Sequence, residues 1–389
     1  MKFADRMALL GTESAFEVLV KARALEARGR DVVHLEIGEP DFDTPRHIVE
    51  AGQKALDEGY THYGPSAGLP ELREAIARDV SSFRGISVTP DQVVVTPGAK
   101  PIIFYTILAL VQSGDEVIYP NPGFPIYESV IKFAGAKPVP IPLREERDFS
   151  LDVDELADLV TGRTRLIIIN SPQNPTGGIL PQEDLKAIAR VSAAHGVPVL
   201  ADEIYSRILY DDDFHHISAC DGMQDLTIIL DGFSKTYAMT GWRIGYGVMP
   251  TDLAEHTTRL MTNSNSCTAS FTQHAALAAL QGPHDAVTEM VAEFKRRRDI
   301  FVEGLNAIPG IRCALPRGAF YLFPNIASLG RPSKEVAEVL LNRGNVAALA
   351  GPDFGEYGEG YLRFSYANSI ENIRKALDRI ADIAATLKA

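Results

Sequence analysis

Between residues 92 and 248 short apolar runs alternate with helical stretches, and that rhythm leaves the chain few architectures. The runs cover 92–96, 116–119, 166–170, 198–201, 227–230 and 244–248. They are rich in Val, Ile and Leu and lack polar alternation, as strands covered on both faces must be. Helical periodicity fills the gaps. In PQEDLKAIARVSAAHG, for example, Leu185, Ile188, Ala189 and Ser192 share one face. Strand, helix, strand, repeated, predicts an α/β fold with a mainly parallel sheet between two helical layers. Ligands of such sheets bind at the carboxyl ends of the strands and in the loops that follow.

After about residue 282 the rhythm changes. A charged helix is expected over 285–305, then strands at 319–323 and 361–365 with helices at 334–341 and 371–387. This reads as a second, smaller α+β domain, which suits a chain of 389 residues, long for a single core. Near the start, Ser14 opens a helical pattern that Gly29 closes, and the polar, proline-containing EIGEPDFDTP follows. The division expected is an N-terminal segment, 1–44, joining the small domain; a large domain, 45–282; and a C-terminal small domain, 283–389.

Composition excludes several classes of function. A formal charge of −13 disfavours a nucleic-acid surface. Three widely spaced cysteines suggest neither a disulfide framework nor a zinc site, and no metal centre is expected. No apolar stretch has the length of a signal peptide or a membrane span, so a cytoplasmic protein without membrane partners is expected. The stretch Gly64-Pro65-Ser66-Ala67-Gly68 matches a hydrolase nucleophile elbow, but it follows a polar helix end rather than a buried strand and reads as a turn. His215 and His216, in DDDFHH, read as a solvated surface pair.

The stretch FSKTYAMTGWRIGY, residues 233–246, places Lys235 among small and apolar residues. A buried lysine is costly unless its amine is used, and a neutral amine forms Schiff bases with carbonyls. An aldehyde cofactor such as pyridoxal phosphate also needs an anion at its ring nitrogen, donors to its phenolic oxygen and a cup for its phosphate. Asp202 follows the run PVLA, and Tyr205 lies one helical turn later. Asn174 sits in SPQNPTGG after LIIIN, held by prolines on both sides. Gly98-Ala99-Lys100 opens a helix after QVVVTP, while Ser234 and Arg243 bracket the lysine motif. Singly, Asp202 reads as a helix cap, Asn174 as a turn residue and Lys235 as a surface charge. Together they fall at the strand ends of one sheet.

The motifs EIGEPDFDTP, YGPSAGLPELREAI, NPGFPIYE, SPQNPTGG, ADEIY, FSKTYAMTGWRIGY and YLRFSYA run through nearly the whole chain. On them the chain resembles the class I/II pyridoxal-phosphate aminotransferases, of the fold type I shared with aspartate aminotransferase. The resemblance implies that Lys235 carries pyridoxal 5'-phosphate as a Schiff base and later serves as general base. It implies Asp202 on the ring nitrogen, Asn174 and Tyr205 on the phenolic oxygen, and Phe124 against the ring. Ala99, Lys100, Ser234 and Arg243 align with the phosphate cup, the Lys100 side chain having substrate or solvent as its alternatives. Tyr63 aligns with a residue that reaches the neighbouring subunit's phosphate, which implies a homodimer with a shared site. Arg363 and Gly38 align with the contacts to the substrate α-carboxylate.

The reaction so implied moves an amino group from an L-amino acid to a 2-oxo acid by a ping-pong route, aspartate-type or of broad specificity. Thr12, Glu13 and Phe16 are expected at the side-chain end, where an inward Glu13 would repel acidic substrates. Two alternatives share many of these residues: a carbon–sulfur β-lyase and a non-catalytic sensor module that binds the same cofactor.

Overall fold

The computed structural model describes residues 1–387. A short N-terminal helix, α1 (Ser14–Glu26), and the two-residue β1 (Val33–His34) precede α2 (Arg46–Asp57) and α3 (Pro70–Arg84). The alternating region then runs β2 (Val93–Thr96), α4 (Lys100–Leu110), β3 (Glu116–Asn121), α5 (Ile126–Phe133), β4 (Lys137–Pro142) and α6 (Val153–Leu159). It continues through β5 (Thr164–Asn170), α7 (Gln182–His195), β6 (Val199–Asp202), β7 (Thr227–Gly232), β8 (Gly245–Val248), α8 (Thr251–Asn265) and α9 (Ser270–Gln281). The remainder comprises α10 (Asp285–Asn306), β9 (Tyr321–Leu322), α11 (Ser333–Asn342), β10 (Val346–Ala347), β11 (Leu349–Ala350), β12 (Leu362–Ser365) and α12 (Ile370–Leu387).

Seven strands form the main sheet in the order β2-β8-β7-β6-β5-β3-β4. All neighbours run parallel except at β8, which is antiparallel to both β2 and β7. The predicted face of α7 is the buried one, Leu185, Ile188, Ala189 and Ser192, and Gly196 ends the helix at φ +62°. One strand escapes the sequence pattern. The strand β4 reads KPVPIP, and its three prolines argue against a ladder. It lies at the sheet edge, where a missing N–H breaks no pairing. Gly64–Gly68 is a turn ahead of α3, as expected, with the Ala67 carbonyl accepting from the Val95 N–H.

The N-terminal segment packs with the C-terminal elements. Strand β1 pairs in parallel with β10, and Val33 and Leu35 share a buried cluster with Phe294, Phe320 and Phe364. A three-stranded antiparallel sheet, β11-β12-β9, faces the same cluster. The expected strand at 319–323 shrinks to two residues because Ala319 adopts φ +57°, which breaks extended geometry. No helix among the described residues is long and apolar enough to cross a membrane.

Candidate active site

The carboxyl ends of β5, β6 and β7 stand in register, Asn170 beside Asp202 and Asp202 beside Leu230. Asp202 is the last residue of β6 and is buried. Its Oδ2 accepts from the Tyr127 hydroxyl at 2.6 Å and its Oδ1 from the Ile204 N–H at 3.3 Å. Burial pushes its pKa up to about 6 against those hydrogen bonds, and the negative Asp231 and Glu203 add to the rise. No cation pairs with it among the described residues.

Behind Asp202 lies a buried ionic network. Glu203 accepts from Arg84 Nε at 2.8 Å and bonds His216 Nδ1 at 3.1 Å, while Arg84 Nη2 donates to Asp231 at 2.7 Å. Arg84 therefore ties the end of β6 to β7, next to the turn that carries Ser234 and Lys235. This corrects the reading of His216 as a solvated surface residue: it is 8% exposed, drawn inward by Glu203.

Lys235 follows β7, and its Nζ donates to the Gly38 carbonyl at 2.6 Å. Burial lowers its pKa to about 8; Arg243 and Arg363 push the same way, against Glu39 and Glu13. Arg363, on β12, is buried, and burial lowers its pKa too. Its Nη1 donates to Asn174 Oδ1 at 3.3 Å, its Nη2 donates to the Glu36 carbonyl, and its Nε has no partner. No carboxylate forms an ion pair with it among the described residues. The Asn174 N–H is fixed in turn by Asn170 Oδ1 at 2.9 Å.

Two tyrosines complete this floor, and neither was singled out as a site residue from sequence. Tyr321 shares a hydrogen bond with the Tyr205 hydroxyl at 2.7 Å, and Tyr127 holds Asp202. Tyr127 lies within the recognisable NPGFPIYE, three residues from Phe124, so the motif carried a signal. Tyr321 sits in a short apolar strand with no such mark. Its hydroxyl occupies the space a Cβ at Gly38 would need, so Gly38 is sterically required where the N-terminal segment meets the site.

A second group gathers at the start of α4. Gly98 takes φ +89° and lies so close to Arg243 that a Cβ would overlap the guanidinium. A Cβ on Gly245 would likewise overlap the Ala99 backbone nitrogen. Arg243 itself adopts φ +54°, a conformation that costs a side-chain-bearing residue roughly 1–2 kcal/mol. Its Nη1 donates to the Thr240 carbonyl at 2.6 Å, and the side chain remains open to solvent. Ser234 is buried two residues beyond Gly232, whose backbone packs on Gly245. A helix start and a guanidinium thus converge, a combination suited to an anion.

At the rim, Phe124 is half-buried, and Lys100 Nζ lies 5.4 Å from its ring centroid. Lys100 is ion-paired with Glu13. Tyr63 stands in solvent, 89% exposed. Of the other two residues expected at the side-chain end, the Thr12 hydroxyl donates to Glu17 at 3.4 Å and Phe16 is 60% exposed.

Comparison with known proteins places the whole chain. The family model for aminotransferase class I and II matches residues 30–380. An aspartate aminotransferase of Pyrococcus abyssi is 42% identical over 98% of both chains. An aromatic-amino-acid aminotransferase of Thermococcus litoralis is 39% identical over 98% of both. The structure of the Thermus thermophilus aspartate aminotransferase with maleate superposes with a TM-score of 0.94 at 37% identity, covering 98% of this chain and 100% of that one. The chain belongs to the class I and II aminotransferases, enzymes that transfer amino groups.

Proposed function

We propose that this aminotransferase uses pyridoxal 5'-phosphate, held by Lys235, to move an amino group from an L-amino acid to a 2-oxo acid in two half-reactions. The carrying observation is a pair of unmatched buried charges flanking a desolvated lysine: Asp202 lacks a cation and Arg363 lacks an anion. A protonated pyridine nitrogen suits the first and a substrate α-carboxylate the second. The residues present therefore fit the cofactor. Ala99, Ser234 and Arg243 would hold its phosphate, Asn174 and Tyr205 its phenolic oxygen, and Phe124 its ring face, while Tyr63 would serve the neighbouring subunit of a homodimer. When bound, the cofactor supplies an electron sink and stores the amino group between the two halves.

The chain's own residues supply the rest. Arg363 grips the α-carboxylate with its forked guanidinium and, with Asn174, fixes the substrate's orientation. Asp202, kept ionised by a cationic partner, holds that partner protonated. Lys235, whose pKa near 8 leaves a useful fraction neutral at physiological pH, takes the α-proton and returns it. The assignment of 1–44 and 283–389 to one small domain belongs to the same proposal. Gly38 and Glu36 on the N-terminal segment and Arg363 on β12 would then close together over substrate and exclude water. Aspartate-like and aromatic donors both fit the relatives' names, and a cytoplasmic location accompanies this reading.

The test mixes cofactor-loaded protein with single L-amino acids, without an acceptor, and follows the cofactor's absorbance. Rapid conversion with release of the matching 2-oxo acid supports transamination and names the donor. Pyruvate and ammonia from a cysteine-type substrate, with no net conversion, would replace it with the β-lyase reading.

A further inference from the structure

The stretch that carries Glu36 and Gly38 enters the site without main-chain support. Its last sheet contact is the Leu35 carbonyl, which accepts from the Ser365 N–H at 2.7 Å. From Glu36 to Thr44 no backbone–backbone hydrogen bond holds the chain among the described residues. Two carbonyls of this stretch nevertheless meet the site: that of Glu36 accepts from Arg363 Nη2, and that of Gly38 accepts from Lys235 Nζ at 2.6 Å. Side chains must therefore fix it. Farther along, Thr240 and Arg297 bind Glu39 and Asp41. At the Arg363 contact the anchor is the Glu36 carboxylate itself, 0% exposed, whose Oε1 meets His34 Nδ1 at 2.7 Å. Its Oε2 is buried without a partner. A buried carboxylate held on one oxygen is costly, so the imidazole is its essential support. The other ring nitrogen, Nε2, reaches Glu26, the last residue of α1, at 3.1 Å.

We propose that His34 and Glu36 are positioning residues for Arg363: the imidazole clamps the buried carboxylate, which holds the Glu36 carbonyl against the guanidinium. This rests on the reading of Arg363 as the grip on the substrate α-carboxylate. Neither residue touches substrate, and both act through Arg363 and the stretch that leads to Gly38. Strand geometry brings the pair together, since residues two apart share a face, while Val33 and Leu35 turn into the apolar cluster. With a carboxylate at each ring nitrogen, both nitrogens must donate, which only the imidazolium can do. The hydrogen bond to Glu36 raises the His34 pKa to about 9 against burial, and Glu26 adds to the rise. The other elements beside His34 bring no competing charge: β10 offers Val346 and Ala347, Asn368 donates to the His34 carbonyl, and Lys375 and Arg379 of α12 are engaged by Asp31. A raised pKa means that the contribution is present at neutral pH and is lost as pH rises through about 9. A neutral ring then has one donor for two carboxylates, and Glu36, left as a bare buried charge, must rearrange and take its carbonyl with it.

The experiment titrates the cofactor-loaded enzyme with 3-phenylpropanoate, an unreactive carboxylate, and reads its dissociation constant from the cofactor's absorbance between about pH 7 and about pH 10. Wild-type affinity should fall about tenfold more over this range than that of Glu36→Gln, whose neutral amide keeps its bond to His34 without needing a cation. His34→Gln should weaken the probe about tenfold already at neutral pH, and adding Glu36→Gln should restore it, because no buried charge is then left unpaired. Thermal melting over the same range separates positioning from stability. A pair that serves the fold alone would shift melting and leave probe affinity unchanged, which overturns the proposal. An equal alkaline loss in wild type and Glu36→Gln overturns it too. Arg363→Met is the control for the site: if it binds the probe as wild type does, the carboxylate reading of Arg363 falls and this proposal with it. Binding that needs Arg363 but ignores His34 and Glu36 overturns this one alone.

Discussion

The network behind the floor of the cleft and the contact at its rim are both built from paired charges, yet they obey opposite rules. Behind the floor, Arg84, Glu203, Asp231 and His216 are nearly sealed from water, each bound to at least one of the others. At the rim, Glu13 and Lys100 meet in partial solvent, and Tyr63 reaches into the open. A buried network tolerates no missing member, because the partner left behind is a desolvated charge. A solvated pair can be opened at little cost. The buried network thus fixes the strand ends that carry Asp202 and Lys235, whereas the rim pair can change without disturbing them.

The largest effect should come from Lys235→Ala, which removes the amine that holds cofactor and moves the proton. Turnover should fall by about a thousandfold or more. The fold should persist, since the change deletes a desolvated cation; thermal melting of the purified variant checks this. Next, Arg84→Met should destabilise the chain by about 3–5 kcal/mol, because it strands Glu203 and Asp231 without their shared cation. The same substitution at Lys100 should change stability by only about 0.5 kcal/mol. Urea denaturation of the two variants side by side sharpens the comparison, and equal losses would break it. A local effect on cofactor binding belongs to Tyr63→Phe, which removes one hydroxyl at a solvent-facing position. Weakening of cofactor binding by about five- to tenfold, without loss of stability, is expected if that hydroxyl completes the neighbouring subunit's site. Equilibrium dialysis of the cofactor measures it.

Much of this layout could be read from residue order. The parallel strands announced themselves because burial on both faces demands unbroken apolar runs, as in the LIIIN of β5. Asp202, Asn174 and Lys235 were legible because each lies one to five residues past the end of such a run. β4 was hidden because edge strands tolerate the prolines that central strands reject. Tyr321 was hidden because a two-residue strand has no period to read. His216 was misjudged because its acidic neighbours suggested solvent, whereas Glu203, thirteen residues earlier, draws it inside.

What the sequence by itself determined is the sheet-forming rhythm and the chemical types at the strand ends, both local properties that follow from side-chain spacing and burial. Tertiary structure alone decided which charges meet. It set Arg84 of α3 against Glu203 and Asp231, and it brought Arg363 of β12 beside Asn174. It also placed Glu13 on Lys100. Partners separated by 87 to 189 residues leave no periodic trace in the chain, and only the closure of the fold gives each charge the burial that fixes its role.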